Sequence, residues 1–173
     1  MKPIVLIAAA ATASMAAAFC PANAYAASNS TFIKRAIRGD NSEIRLGALA
    51  EHKGDSAGVR RFGKTLVTDH SRARREADAV AKKLHVTPPT RATTVARAEY
   101  KKLSGMKGAA FDREFTSYMV TDHKNDIRDF KKQEKAGHSP TASFARKSLP
   151  MLRKHLRIAQ RLSQRPGSSS SQK

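Results

Sequence analysis

Apolar residues recur at alternating spacings of three and four along four stretches of the chain, as they do on one face of an amphipathic helix. The stretches cover about residues 31–52, 55–85, 108–136 and 139–162. Glycine or proline stands after the first three, at Gly54, Pro88 and Gly137, where helices commonly end. Pro140 stands just inside the start of the fourth, a position that helices tolerate well. The pattern therefore predicts four long helices in an all-α protein.

The chain between the second and third predicted helices is too long for a simple turn. Residues 86–107 have modest helical character between about 90 and 103, and Ser104-Gly105 then breaks it. We interpret this segment as a long, partly helical crossover that traverses the bundle. Two helical hairpins joined by such a crossover form a ferritin-like four-helix bundle, in which predicted helices 2 and 3 are parallel.

A pentad occurs once in each half of the chain, at the same place in predicted helices 2 and 3. Residues 66–70 read LVTDH and residues 119–123 read MVTDH, and a phenylalanine stands four residues ahead of each pentad, at Phe62 and Phe115. The offset between the two copies is 53 residues. The repeat predicts a pseudo-symmetric bundle in which polar groups from the two halves converge.

The otherwise apolar faces of the four predicted helices each carry one ionisable residue: Glu43, His70, His123 and His155. With a rise of about 1.5 Å per residue, the three histidines lie at similar depth in the bundle, whereas Glu43 is offset by about 7 Å. Three imidazoles and a carboxylate can bind a divalent transition metal such as Zn²⁺, Fe²⁺, Mn²⁺ or Cu²⁺. These four residues are therefore the candidate ligands of a metal site in the bundle centre.

Asp69 and Asp122 precede two of these histidines and point away from them, because adjacent residues diverge on a helix. Each could instead approach a histidine on a neighbouring helix and orient its ring. An alternative needs no metal, since Glu, Asp and His from four helices can form a closed polar network that fixes helix register. The residues three before the histidines are Val67, Val120 and Leu152, not the glutamates of a di-iron oxidase, which argues against a ferroxidase centre.

Residues 1–26 have the features of a secretory signal peptide: a basic start, an Ala-rich apolar run and an A-x-A site at Ala24–Ala26. We expect cleavage after Ala26, with Ala24 as the second choice, and hence a periplasmic or secreted protein. Cys20 then leaves with the signal, and Phe19 before it argues against a lipid-anchor site. No later apolar run is long enough to span a membrane. The predicted bundle domain covers residues 27–162, and the polar residues 163–173 are predicted to be disordered.

The chain is strongly basic. Its formal net charge is +19, and +18 remains when Lys2 leaves with the signal. Such a charge attracts anionic lipid, acidic polysaccharide or nucleic acid. The basic residues are spread over every segment with few aromatics among them, and no nucleic-acid motif occurs, so nucleic acid is not the expected partner. An anionic cell-envelope surface remains a candidate partner, beside the simpler interpretation of a solvated basic surface.

Several short stretches, taken in order, resemble the bacterial domain of unknown function 4142. They read EIRLGALA at 43–50, VTDH at 67–70, LSG at 103–105 and SLPMLRKH at 148–155. The resemblance covers about residues 30–162 and implies a ferritin-like bundle exported to the periplasm. It implies no activity, because the role of that family is not established.

Three hypotheses for function follow. The leading one is an exported, non-enzymatic bundle with a structural or stress-protective role, either with or without a divalent metal at the four candidate ligands in its centre. The first alternative is a basic module that binds anionic lipid or nucleic acid through charge. The second alternative is a metal-dependent oxidase or peroxidase, which requires an open coordination position and a cleft that reaches the histidines.

Overall fold

The computed structural model describes residues 21–164, and within them it contains five helices and no strand. The helices are α1 (Pro21–Lys53), α2 (Ala57–Lys83), α3 (Thr94–Ser104), α4 (Gly108–Glu134) and α5 (Pro140–Ser163). α1 packs along α2, α4 packs along α5, and the short α3 lies in the crossover against α1 and α4. This is the predicted ferritin-like four-helix bundle with a partly helical crossover. None of these helices is both long and apolar enough to cross a membrane.

Side-chain caps define where three of the helices begin. Ser56, Thr93 and Ser139 each accept a hydrogen bond from a backbone N–H group in the first turn of α2, α3 and α5, respectively. The Asp112 carboxylate, on α4, accepts the backbone N–H groups of Asp55 and Ser56 at 2.8 Å each. These two bonds hold the turn between α1 and α2 against the start of α4.

The first helix is longer than its apolar pattern predicts. α1 begins at Pro21, ten residues before the predicted start at residue 31, and it runs through the predicted cleavage site after Ala26. The added residues are rich in alanine, the strongest helix former, so the helix extends beyond its amphipathic part. The remainder of the predicted signal, residues 1–20, and most of the predicted tail, residues 165–173, lie outside the described residues.

Two apolar clusters fill the bundle, one on each side of a polar layer. The first cluster includes Phe32, Ile37, Phe144 and Leu149. The second cluster includes Leu46, Leu66, Phe111 and Met119. Because both clusters exclude water, the polar side chains between them lie in a low-dielectric environment, where unpaired polar atoms are costly.

The repeated pentads face each other across the bundle. The rings of Phe62 and Phe115 lie 6.0 Å apart, and the rings of His70 and His123, each eight residues further along its helix, also lie 6.0 Å apart. Matching pairs in the same order mean that α2 and α4 run in the same direction at the same register. The parallel arrangement and the pseudo-symmetry that the repeat predicts are both present in the fold.

Candidate metal centre

The polar layer contains one buried residue from each long helix: Glu43 on α1, His70 on α2, His123 on α4 and His155 on α5. The exposed fraction is 2% for His70 and 0% for the other three. Burial of four ionisable groups at one level is costly, so each requires a partner or a function.

The three histidines form a compact group, here called the histidine triad. The ring centroid of His70 lies 6.0 Å from that of His123 and 5.2 Å from that of His155, and the last two lie 5.4 Å apart. One ring nitrogen from each histidine lies within 4.8 Å of those from the other two. The structure thus brings together the three histidines that the sequence places at similar depth.

Each histidine of the triad has a hydrogen-bond partner at one ring nitrogen. His70 Nδ1 lies 2.9 Å from Asp40 Oδ1, and His155 Nε2 lies 2.9 Å from Asp69 Oδ2. His123 Nδ1 lies 3.0 Å from the backbone carbonyl oxygen of Met119. A carbonyl oxygen only accepts, so His123 Nδ1 carries the proton. Partners of this kind fix the ring orientation and tautomer of metal-binding histidines.

The opposite nitrogen of each ring has no partner. His70 Nε2, His123 Nε2 and His155 Nδ1 are buried and make no hydrogen bond to any of the described residues. A buried polar atom without a partner costs about 1–3 kcal/mol. When the outer nitrogen of the ring donates its proton, the inner nitrogen has a free lone pair, which is the atom that a metal ion binds. The triad can therefore offer three lone pairs in a dry interior.

Burial keeps the three imidazoles neutral. It lowers the pKa of His70 and of His155 to about 4, and that of His123 to about 3. The other two rings lower the pKa of His123 further, because a protonated neighbour repels a second positive charge. Neutral imidazole is the form that binds metals, so no proton has to leave these rings when an ion binds at neutral pH.

Asp69 is well placed to orient His155. Burial alone would raise the pKa of Asp69, but the hydrogen bond and charge of His155, together with Lys154 and Arg72, outweigh burial and lower this pKa. Lys154 Nζ lies 3.5 Å from the Asp69 carboxylate and an Arg72 nitrogen lies 3.3 Å from it. Ionised Asp69 then accepts the N–H of His155 Nε2. This is the kind of contact expected of Asp69, from a carboxylate on α2 to a histidine on α5.

A group of carboxyl side chains lies beside the triad. Glu43 Oε1 is 3.8 Å from His123 Nδ1, and oxygens of Glu43 and Asp122 lie within 4.8 Å of each other and of a His123 nitrogen. Neither Glu43 oxygen has a hydrogen-bond donor among the described residues. Burial, followed by the charge of Asp122, a hydrogen bond shared with Asp122 and the charges of Asp126 and Asp40, raises the pKa of Glu43 well above its usual range, so a protonated Glu43 can donate to Asp122. A cation beside Glu43 would favour its ionised form.

The pseudo-symmetry explains why Asp69 and Asp122 have different partners. Asp69 on α2 faces α5, where it meets His155, and Asp122 on α4 faces α1, where it lies beside Glu43. Glu43 thus occupies the position that His155 occupies in the other half. Contrary to the expectation for Asp122, no hydrogen bond joins it to a histidine within residues 28–164. Glu43 accordingly lies next to His123 rather than among all three histidines, so the four predicted ligands do not form one group in the structure.

Two acidic residues of the site were missed by the sequence analysis. Asp40 bonds to His70 and is 7% exposed, and burial raises its pKa well above the usual range despite the opposing charge of Arg74. Burial and the neighbouring Asp122 carboxyl likewise raise the pKa of Asp126. Asp40 precedes Glu43 by three residues and Asp126 follows His123 by three, a spacing that places them on the same helix face. That spacing was the signal that could have found them.

Comparison with known proteins supports the fold and leaves the chemistry open. The family model of the domain of unknown function 4142 matches residues 14–162. No curated protein matches the chain. The chain is similar to the crystal structure of a DUF305 fragment from Deinococcus radiodurans, with a TM-score of 0.68 and 16% sequence identity, over 79% of this chain and 95% of that one. At this identity the likeness concerns the fold alone, and it agrees with a ferritin-like helical domain.

Proposed function

Because this chain belongs to the family of the domain of unknown function 4142, whose name states no activity, we propose its function from the site alone. The proposal is an exported, non-enzymatic bundle that binds one divalent transition metal ion in the histidine triad and thereby stabilises its own fold. The observation that carries it is the set of three buried ring nitrogens without partners, at His70, His123 and His155.

The donor set suits a divalent ion of intermediate softness. Three neutral imidazoles and a carboxylate are common ligands of Zn²⁺, with metal–nitrogen distances of about 2.0–2.1 Å. The ring nitrogens lie within 4.8 Å of one another, so a small inward movement of the rings would bring them to such distances. Glu43 lies 3.8 Å from His123 Nδ1, the nitrogen that donates to the Met119 carbonyl, so it would have to move towards the unpartnered Nε2 side of the ring to become a fourth ligand. Fe²⁺, Mn²⁺ and Cu²⁺ accept the same ligand types, and their relative affinities follow ligand number and geometry.

A closed polar network without an ion is the main competing explanation for the buried residues. Such a network stabilises a core when all of its members are satisfied, and it is costly when some are not. Here the inner ring nitrogens of the histidine triad and one oxygen of Asp40 have no hydrogen-bond partner among the described residues. An ion in the triad would satisfy the three nitrogens at once, and this favours the metal site over the network.

Burial of the ligands favours a binding role over turnover. A catalytic metal keeps a position open for substrate, usually in a cleft. The three histidines are between 0% and 2% exposed, and the cavity that His70 lines has a volume of only about 30 Å³, room for one or two water molecules rather than for an organic substrate. The carboxylates that a di-iron oxidase places three residues before its histidines are replaced by Val67, Val120 and Leu152. We therefore rank the oxidase or peroxidase alternative below a role in which the protein stores the bound ion or is stabilised by it.

Elemental analysis and thermal unfolding of protein purified without a histidine tag test the proposal. We expect one ion per chain, and an increase in Tm when Zn²⁺ is added to the metal-free protein. In His123→Gln the affinity for Zn²⁺ should fall by about 100-fold or more, since one of three nitrogen ligands is lost.

His138→Gln is the matched control, because His138 is exposed and outside the triad. It should bind Zn²⁺ as the unchanged chain does. Absence of a stoichiometric ion, together with no change in Tm on addition of Zn²⁺, Mn²⁺ or Fe²⁺, would remove the metal site from consideration.

The distribution of charge on α5 supports the second candidate function, which is binding to an anionic surface. α5 contains no acidic residue, and its basic residues recur at spacings that place them on one outer face. They are all exposed, and they comprise Arg146, Lys147, Arg153, Lys154, Arg157 and Arg161. We call this face the α5 basic stripe, and its partner would be anionic lipid of the cell envelope.

Vesicle sedimentation distinguishes this candidate from a merely solvated surface. The chain should bind vesicles that contain phosphatidylglycerol but not purely zwitterionic ones, and binding should disappear at about 0.5 M salt. The double variant R153Q/R157Q should bind more weakly than K131Q/K132Q, which removes the same charge from the exposed end of α4. Equal loss in both variants would mean that net charge, not the stripe, determines binding.

A further inference from the structure

A small crevice between the four long helices borders His70, one member of the histidine triad. It is a cavity of about 30 Å³ whose lining comes from α1, α2, α4 and α5. His70, which is 2% exposed, lines it together with Asp40, Asp126 and Asp129. A space of this size holds roughly one or two water molecules. It is therefore large enough for an ion that has lost most of its hydration shell.

Carboxyl groups predominate in the crevice, although the protein is strongly basic. The chain has a net charge of +19, yet the ionisable residues that line the crevice are three aspartates, one arginine and His70. Asp40 is 7% exposed, and its Oδ2 has no hydrogen-bond partner among the described residues. Carboxylate oxygens can replace the water ligands that a divalent cation loses on entry.

An ion pair spans the outer end of the crevice. Arg35 on α1 lies 3.1 Å from Asp129 on α4, and their side chains are 61% and 30% exposed. An exposed pair of this kind is weak and opens easily, because water competes for both charges. It therefore joins α1 and α4 without sealing the crevice.

Gly39 forms part of the crevice wall. A Cβ atom at this position would meet nothing within 4 Å, so the glycine is not required by close packing. It lies inside α1, where glycine is a poor helix former. The missing side chain leaves space between Asp40 and the surface that a larger residue would occupy.

We propose that this crevice is the route by which a divalent cation, losing most of its hydration shell, reaches the histidine triad, with Asp129 attracting the ion and the carboxyl groups of Asp126 and Asp40 passing it to His70. The inference rests on the metal site proposed above. It adds a path for the metal ion. The residues along this path should govern the rate of metal binding rather than the affinity.

Stopped-flow mixing of metal-free protein with Co²⁺, followed by the visible absorption of the bound ion, tests the route. In Gly39→Leu the added side chain would fill the crevice, so association and dissociation should both slow by about tenfold or more. Since a blocked path changes both rates equally, the equilibrium affinity should stay within about twofold. Gly39→Ala, whose single methyl group has open space, should keep both rates.

Asp129→Asn gives an independent measurement that does not depend on filling the crevice. Association should slow by about threefold at low salt, and the difference should vanish at about 0.5 M salt, because the attraction is electrostatic. Glu134→Gln removes the same charge from α4 outside the crevice lining and should not change the rate.

The outcomes separate the two proposals. If the unchanged protein binds neither Co²⁺ nor Zn²⁺, the metal site itself is wrong. If it binds them, and Gly39→Leu and Asp129→Asn both associate at the unchanged rate, the metal site stands and the route is wrong. Slowing in both variants, with unchanged rates in Gly39→Ala and Glu134→Gln, supports the route.

Discussion

At the scale of single residues, the site depends on partners that hold each histidine in one orientation. Asp69 holds His155 through a bond of 2.9 Å and is itself held by Lys154. Asp69→Asn keeps the size of the side chain but weakens the acceptor, so we expect the affinity for Zn²⁺ to fall about 10- to 100-fold. Competition with a chromophoric chelator measures this affinity. Glu76→Gln, on the exposed face of α2, should leave it unchanged, and an equal affinity in both variants would contradict the role of Asp69.

Glu43 should make the metal-free protein less stable as the pH rises. Its pKa is raised in the folded state by burial and by neighbouring carboxyl groups, above the usual value of 4.5. The unfolded chain therefore releases this proton at a lower pH than the folded chain, and stability is lost as the pH rises above about 4.5 towards the folded pKa. Glu43→Gln, which cannot ionise, does not have this loss.

Urea unfolding of metal-free protein at about pH 4, 6 and 8 measures the effect. The two proteins should be similarly stable at the lowest pH. The variant should be the more stable at the highest, by about 1–3 kcal/mol, the usual cost of a buried polar group without a partner. If the difference in stability between the unchanged protein and Glu43→Gln does not change with pH, the Glu43 carboxyl group is solvated or paired in the folded protein.

At the scale of helices, α1 and α2 pack closely enough to exclude any side chain at their crossing. A Cβ atom on Gly63 would lie 2.5 Å from the Gly47 carbonyl oxygen and 2.5 Å from the Glu51 backbone nitrogen. Both are backbone atoms that cannot move without shifting the helices. We expect Gly63→Ala to lower the free energy of unfolding by about 1–3 kcal/mol or more. Gly39→Ala, with open space, should raise it by about 0.5–1 kcal/mol, and thermal unfolding of both variants checks the contrast.

The helices and the triad could be predicted because both follow from periodicity. Spacings of three and four define the faces of the helices, and counting residues from the turns places His70, His123 and His155 at one depth. The start of α1 could not be predicted in this way, because its alanine-rich first turns have no amphipathic pattern. The partners of Asp40 and Asp122 could not be predicted either. They depend on which helix lies beside each face, and the pentads alone do not specify that neighbour.

At the scale of the whole molecule, the stability of the charged surface depends on salt, whereas the binding of an ion in the interior depends on it much less. The net charge of +19 repels itself and lowers the stability of the folded chain, and salt screens this repulsion. Raising NaCl from about 20 mM to 500 mM should therefore increase the Tm of the metal-free protein by roughly a few degrees. The histidine triad is buried, so its interaction with an ion is screened much less.

With Zn²⁺ at about 100 times its dissociation constant, binding stabilises the fold by about 2.7 kcal/mol. In a chain of this length, that corresponds to an increase in Tm of roughly 5–10 °C. The increase should be nearly the same at low and high salt, whereas binding to anionic vesicles through the α5 basic stripe should be lost at high salt. Differential scanning calorimetry at both salt concentrations measures the shift. A Zn²⁺-induced shift that disappears with salt would place the ion on the charged surface and not between the two apolar clusters.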